Sequence, residues 1–250
     1  MTKYAPREAG PAAAGELAGQ SGPARRARAI RRWARVGLIA QILFVLSWAA
    51  AASWQGPRYS TSADSISDMY AVTAPGAAFL IIVFTLCGAA TIAFAIGSLR
   101  RALRAGGWTA TAGSALLALS VVGLGDLLTA TERLACRMAD PGCTAAKQIA
   151  NSGGKLDDTL TTGGVLALII AGFLLSFAMR RAPGWRRWAW PTRWTMIILF
   201  FVAFADAIGS HYNLGGVFER LLALIGAVWI AAVAGAVIRR TRKAPELITS

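Results

Sequence analysis

Charge is scarce in this chain. Asp, Glu, Lys and Arg make up 15% of its 250 residues, against about 25% in an ordinary soluble domain. Acids are scarcer than bases, 12 against 26 Lys and Arg, which leaves a net charge of +14. There is one histidine, and there are three cysteines. With 56% hydrophobic residues and a mean hydropathy of +0.52, a 26.3 kDa globule cannot hide its apolar surface from water. The bilayer must be part of its solvent. A soluble enzyme, a nucleic-acid-binding domain and a secreted disulfide mini-protein are excluded. A single histidine also excludes a multi-histidine zinc site, and no metal or cofactor is expected.

Long apolar runs are present instead. Six of them, each about 20 residues, match a hydrocarbon core about 30 Å thick. They lie near Trp33–Trp54, Ala74–Ser98, Trp108–Ala130, Asp158–Met179, Trp190–Ser210 and Gly215–Ile238. The charges segregate between alternate connections. The N-terminal arm, the Arg100–Gly107 and Arg180–Arg193 turns and the C-terminal tail hold 20 of the basic residues and only Glu8, Glu16 and Glu246 among the acids. The opposite side holds six basic residues and nine acids. Lys and Arg accumulate on the cytoplasmic side, so both termini are expected there, with the basic turns touching anionic headgroups. Trp33, Trp54, Trp108, Trp185, Trp188, Trp190 and Trp194 fall near span ends, where an amphipathic ring is comfortable.

The expected fold is an all-α membrane protein, a bundle of six transmembrane helices over residues 25–240. A disordered cytoplasmic arm (1–24) precedes it and a cytoplasmic tail (241–250) follows it. The arginines at 25–32 before an apolar run ending in Ala49–Ala52 also fit a signal peptide. The length of that run, and Trp48 and Trp54 beside the would-be cleavage site, favour an uncleaved first span.

Among the cysteines, Cys87 lies in the second span and reads as a small packing residue. Cys136 and Cys143 flank Asp140, Pro141 and Gly142, turn formers that let the ring close. A disulfide, two free thiols and a metal site are the readings, and the first fits best on an oxidising side.

The acids near the spans carry the functional argument. A carboxylate at mid-bilayer costs roughly 2.5–3.5 kcal/mol, so each needs a reason. Asp126 in span three and Asp206 in span five lie at similar depth toward the outer side. Asp157 and Asp158 open span four there, and Glu219 and Arg220 open span six. His211, Tyr212 and Asn213 form the turn before it. Inward-facing Asp126 and Asp206 would make an outward-open polar cup. One reading has these acids pairing with Arg220, Arg133 or local donors and fixing the packing. The other makes the cup a site for a lipid headgroup, a small molecule, a proton or a cation. Glu219 and Arg220, being adjacent, point in different directions. A Ser–His–Asp set from Ser65 or Ser210, His211 and Asp206 lacks a nucleophile elbow, so no catalytic residue is assigned.

The first outer loop, GPRYSTSADSISDMYAVTAPG, is rich in hydroxyls. Asp64, Ser65, Ser67 and Asp68 can cap a helix start; alternatively the loop is a lid, with Asp68 and Tyr59 reaching the cup. Residues Ser65–Asp68 (SISD), six helices, a polar loop after span three and GVFERL at the start of span six resemble the bacterial membrane family catalogued as domain of unknown function 998. The resemblance covers most of residues 30–240 and implies a six-helix integral membrane protein without supplying an activity. Met69 and Tyr70 stand where the family pattern commonly carries a glycine. Lys155, Asp157 and Asp158 stand where it often has a histidine, which bears on any histidine chemistry the family shares.

Ala227, Ala231 and Gly235 repeat every four residues on span six and suit close packing, within the bundle or across a homodimer. The leading reading is a protein of the bacterial plasma membrane that binds or handles a lipid or small amphipathic ligand at the cup. The ligand-binding set is Ser65, Asp68, Asp126, Asp158, Asp206, His211, Tyr212, Glu219 and Arg220. The expected partners are membrane lipids and a small ligand, with no nucleic acid. The rivals are a proton-coupled transporter using Asp126 and Asp206, a structural or partner-binding protein, and an intramembrane hydrolase. Against the transporter stand the absence of a broken-helix pair and of an inverted repeat.

Overall fold

A computed structural model describes residues 11–209 and 212–243 of the chain. The described residues form helices α1 (Pro11–Ala51), α2 (Ala77–Phe94), α3 (Trp108–Leu119), α4 (Val121–Leu128), α5 (Ser152–Arg181), α6 (Arg186–Gly209) and α7 (Gly215–Lys243), with shorter turns between them. Five helices are long and apolar enough to cross a membrane, or six spans if the bent pair α3 and α4 counts as one. Five of the expected apolar runs each fall on one long helix, and the third falls on the bent pair α3 and α4. Helix α1 begins inside the arm read as disordered: Pro11 opens it and Ala12–Ala14 follow, a proline at the first helical position and then strong helix formers. Residues 1–10 and 244–250 lie outside the described residues.

The third span is not continuous, contrary to the sequence reading. It bends by 45° at Ser120, whose backbone is extended (ψ 173°). The Ser120 hydroxyl donates back to the Leu117 carbonyl at 2.7 Å, an alternative to the helix ladder. Gly123 and Gly125 beyond it are weak helix formers, and the chain resumes as a π turn, Val121–Gly125. Two glycines on neighbouring helices let the break pack. A Cβ on Gly88 of α2 would lie 2.6 Å from the Gly123 carbonyl, and one on Gly164 of α5 would lie 2.5 Å from the Val121 nitrogen.

The bundle has two unlike ends. One carries the loops 55–76 and 129–151, which touch through the Val72 N–H to Leu134 carbonyl bond, 2.9 Å. The other carries the arginine-rich turns. Packing at the arginine end is dense. Leu99, Leu103, Leu175, Met179, Trp185 and Met196 are buried there in one apolar cluster. Gly113 lets α3 approach Leu175 of α5, where a Cβ would sit 2.8 Å away. Helices α5 and α6 are pinned by the Arg193 Nε donating to the Ser176 hydroxyl at 3.0 Å.

Trp185 corrects the expected aromatic belt. It is 2% exposed and lies beneath Arg240, whose guanidinium is 5.0 Å from the ring centroid. Trp54, Trp108, Trp190 and Trp194 are exposed as expected. Cys87 is buried against the Ala40 carbonyl, a packing residue. On α7, Ala227 is buried inside the bundle, while a Cβ on Gly235 would meet nothing within 4 Å.

Candidate functional site

A cap of two interlocked loops closes the loop end, and its centre is Asp68. The Ser65 N–H and hydroxyl each donate to Asp68 Oδ2 at 3.0 Å, and the Asp68 N–H donates back to Ser65 Oγ at 3.0 Å. This reciprocal pair starts the short turn Ser67–Tyr70. Asp68 Oδ1 accepts the Met138 N–H at 2.9 Å and the Gln148 amide at 2.8 Å, which ties loop 129–151 to loop 55–76. Asp68 is 1% exposed. Its burial raises the carboxyl pKa, and the N–H groups of Met138 and Ser65 pull the other way.

Three arginines clamp the same loops through backbone carbonyls. Arg133 donates to the Tyr70 and Ala71 carbonyls at 3.0 and 2.9 Å. Arg137 donates to the Gln55 carbonyl at 3.0 Å and forms an ion pair with Asp140. Arg220 donates to the Thr61 and Asp64 carbonyls at 2.8 Å and to the Tyr59 hydroxyl. Against a small desolvation, hydrogen bonds from Arg137 and Thr73 hold Asp140 below its ordinary pKa. A Cys136–Cys143 disulfide, with Cα atoms 6.1 Å apart, closes the second loop.

Beneath the cap lies a cavity of about 490 Å³. Asp126 of α4, Glu132 just beyond it, Asp206 of α6 and Glu219 of α7 all line it, and no Lys, Arg or His does so among the described residues. Ser67, Tyr70, Thr161 and Thr162 complete the polar part. Phe44, Phe84, Val122, Leu168 and Leu199 supply apolar wall. Asp157 of α5 stands behind Tyr70, whose hydroxyl lies 3.1 Å from both Asp157 Oδ1 and Ser67 Oγ.

The cavity acids are poorly satisfied. Glu219 Oε2 accepts the Ile66 N–H at 2.8 Å. Glu132 is 5% exposed and its Oε2 is buried without a partner. Burial pushes the Glu132 carboxyl up to about 9, and the nearby Asp157 and Asp126 add to the rise, so it is protonated at neutral pH. The ion pair between Arg137 and Asp140 is the one salt bridge among the described residues. The reading in which Asp126 and Asp206 pair with Arg220 or Arg133 is therefore not seen; both guanidiniums donate to loop carbonyls instead.

The cavity opens sideways. Leu166 of α5 and Phe200 and Phe204 of α6 line it, yet they are 51%, 51% and 62% exposed. The α5–α6 pair, held together near Ser176 and Arg193, leaves a gap toward the loop end, and its rim is apolar.

The sequence-derived set divides accordingly. Asp126, Asp206 and Glu219 line one cavity. Ser65 and Asp68 belong to the cap and Arg220 to its clamp, with Glu219 and Arg220 pointing apart as adjacency required. Asp158 is exposed on α5 while Asp157 faces inward. Tyr212 is 71% exposed. His211 and Ser210 lie outside the described residues. Glu132 and Tyr70 were missed as cavity residues, and Ser67 had been read only as a helix cap. The signal for Glu132 was its place four residues past Leu128, one helical turn beyond the span that carries Asp126.

A family model described as "Protein of unknown function (DUF998)" matches residues 38–236. No curated protein and no solved structure matches the chain.

Proposed function

From the premise that this chain belongs to the DUF998 family of unknown function, we propose that it is a six-span membrane protein that binds or handles a lipid or small amphipathic ligand in the carboxyl-lined cavity. Charge segregation supports an orientation with the arginine end and both termini in the cytoplasm and the cap outside, in a bacterial plasma membrane. The carrying observation is the pairing of a polar head space with an apolar side opening. Asp126, Glu132, Asp206 and Glu219 surround one void, and Leu166, Phe200 and Phe204 rim its gap toward the lipid. A water-soluble ligand needs no apolar gap, and a structural role leaves no reason for unpaired buried acids.

Lipid mass spectrometry on gently purified protein, beside Asp126→Asn and Asp206→Asn variants of equal thermal stability, tests the reading. One amphiphile class enriched in the wild type and lost in the variants is the expected result. The same bulk lipid in all three samples would contradict it.

The break at Ser120, six residues before Asp126, favours one second reading, a proton-coupled carrier. Substrate-dependent proton flux in liposomes, lost in Asp126→Asn, is its test.

A further inference from the structure

We propose that the head of the ligand is a cation, an alkylammonium group that enters the cavity in exchange for protons of its carboxyl groups, with the alkyl chain lying in the gap between α5 and α6. This rests on the cavity being the ligand site. It adds the chemical class of the ligand and the coupling of its binding to protons.

The charge inventory carries the argument. The lining holds four carboxyl groups and no cation among the described residues. Two of the four are nine-tenths buried or more: Asp126 at 9% exposure and Glu132 at 5%. Glu132 lines the cavity and its Oε2 is buried without a hydrogen-bond partner, and no hydrogen bond reaches the Asp126 carboxyl among the described residues. Buried polar atoms are ordinarily paired, so these mark where a ligand group would sit.

Several carboxylates cannot share a low-dielectric void without a counter-charge. Like charges repel strongly there, and such groups answer by keeping their protons. The groups facing Glu132 are Asp126 from α4, Asp157 from α5 and Tyr70 from the cap. Asp206 and Glu219 face the void from α6 and α7. The Arg133 guanidinium donates to the Tyr70 and Ala71 carbonyls. Arg220 acts on Glu219 electrostatically, but the void itself has no cation among the described residues that line it. An ammonium head would supply one: it pairs with a newly formed carboxylate, and the carboxyl proton leaves to solvent. An anionic head offers no counter-charge to a carboxylate and would release no proton.

The carboxyl groups ring the cavity, and among the described residues no three His, Cys, Asp or Glu side chains converge as ligands for a metal ion. That spacing suits a bulky organic cation. The walls suit its tail, with Phe44, Phe84 and Leu199 inside and Leu166, Phe200 and Phe204 at the rim.

The test is calorimetric titration of the full chain in nanodiscs of zwitterionic phosphatidylcholine. Three probes share a ten-carbon chain: decyltrimethylammonium, decanol and decanoate. The ammonium is expected to bind tightest. Its Kd should fall by up to about tenfold per pH unit between pH 6 and 8 for each proton displaced. Titration in buffers of different ionisation enthalpy counts that proton directly. The Asp126→Asn/Glu132→Gln double variant is expected to lose at least about tenfold in ammonium affinity and the pH dependence with it. Should the double variant melt early, Glu132→Gln alone serves in the same comparison. Decanol or decanoate binding as tightly as the ammonium, or ammonium binding that ignores pH, would overturn the proposal while leaving amphiphile binding in place. No binding of any of the three would remove both readings.

Discussion

The cap and the cavity are built from the same residue types and treat them oppositely. In the cap, Asp68 accepts four hydrogen bonds, Asp64 accepts the Ser60 N–H at 2.7 Å and Asp140 is paired with Arg137. In the cavity, Asp126 and Glu132 line a void with no cation among its described lining residues. Arginine makes the same contrast. Arg133 and Arg220 sit within reach of acids yet give their donors to backbone carbonyls of the cap. A satisfied acid holds two segments in register, whereas an unsatisfied one is a cost the fold carries for another reason. Position in the sequence does not separate the two kinds; hydrogen-bond accounting does.

The largest way to break the contrast is Asp68→Ala. It strands the N–H groups of Ser65 and Met138 and the Gln148 amide, so thermal unfolding should report a loss of about 3 kcal/mol or more. Next, replacing Cys136 and Cys143 with serine opens a short ring in the cap and should cost about 2 kcal/mol, seen as a drop in melting temperature equal to that of the wild type under reductant. Gly88→Ala tests the floor of the cavity. Its new Cβ would press on the Gly123 and Asp126 backbone, so a loss of about 1–3 kcal/mol is expected. Normal stability would mean that the break at Ser120 has room to shift.

The last effect has the opposite sign. Glu132 titrates near 4.5 as an ordinary residue and near 9 in the fold. Between those values the unfolded chain binds fewer protons than the folded one, so stability falls as pH rises from about 4.5 toward about 9. Glu132→Gln removes the titrating group. Melting curves across that window should be flatter for the variant and no lower at pH 8.

The sequence carried the spans well, because about 20 apolar residues in a row admit few alternatives. It carried the depth of Asp126, Asp206 and Glu219, which the structure gathers around one void. It failed where the answer depends on a neighbour. Ser120 lies within an unbroken apolar run, and only Gly88 and Gly164 pressing from two sides give its bend a setting. Asp157 and Asp158 were equal candidates, since adjacent residues differ by 100° around a helix and the sequence left open which one faces in. Glu132 sits in TERLACRM, past the apolar run, and reads as a surface charge until the loop folds back over the bundle. Asp68 had two readings, a helix cap or part of a lid; its four donors instead tie the two outer loops together, and two of them, Met138 and Gln148, come from a loop far along the chain.

Melting temperature, measured side by side for Asp68→Asn, Asp126→Asn and Glu132→Gln in one detergent at pH 8, tests the division most directly. The account predicts a fall of several degrees for Asp68→Asn and an unchanged or raised value for the other two. A fall for Asp126→Asn and Glu132→Gln as large as that for Asp68→Asn would contradict it, and would make the cavity acids part of the scaffold.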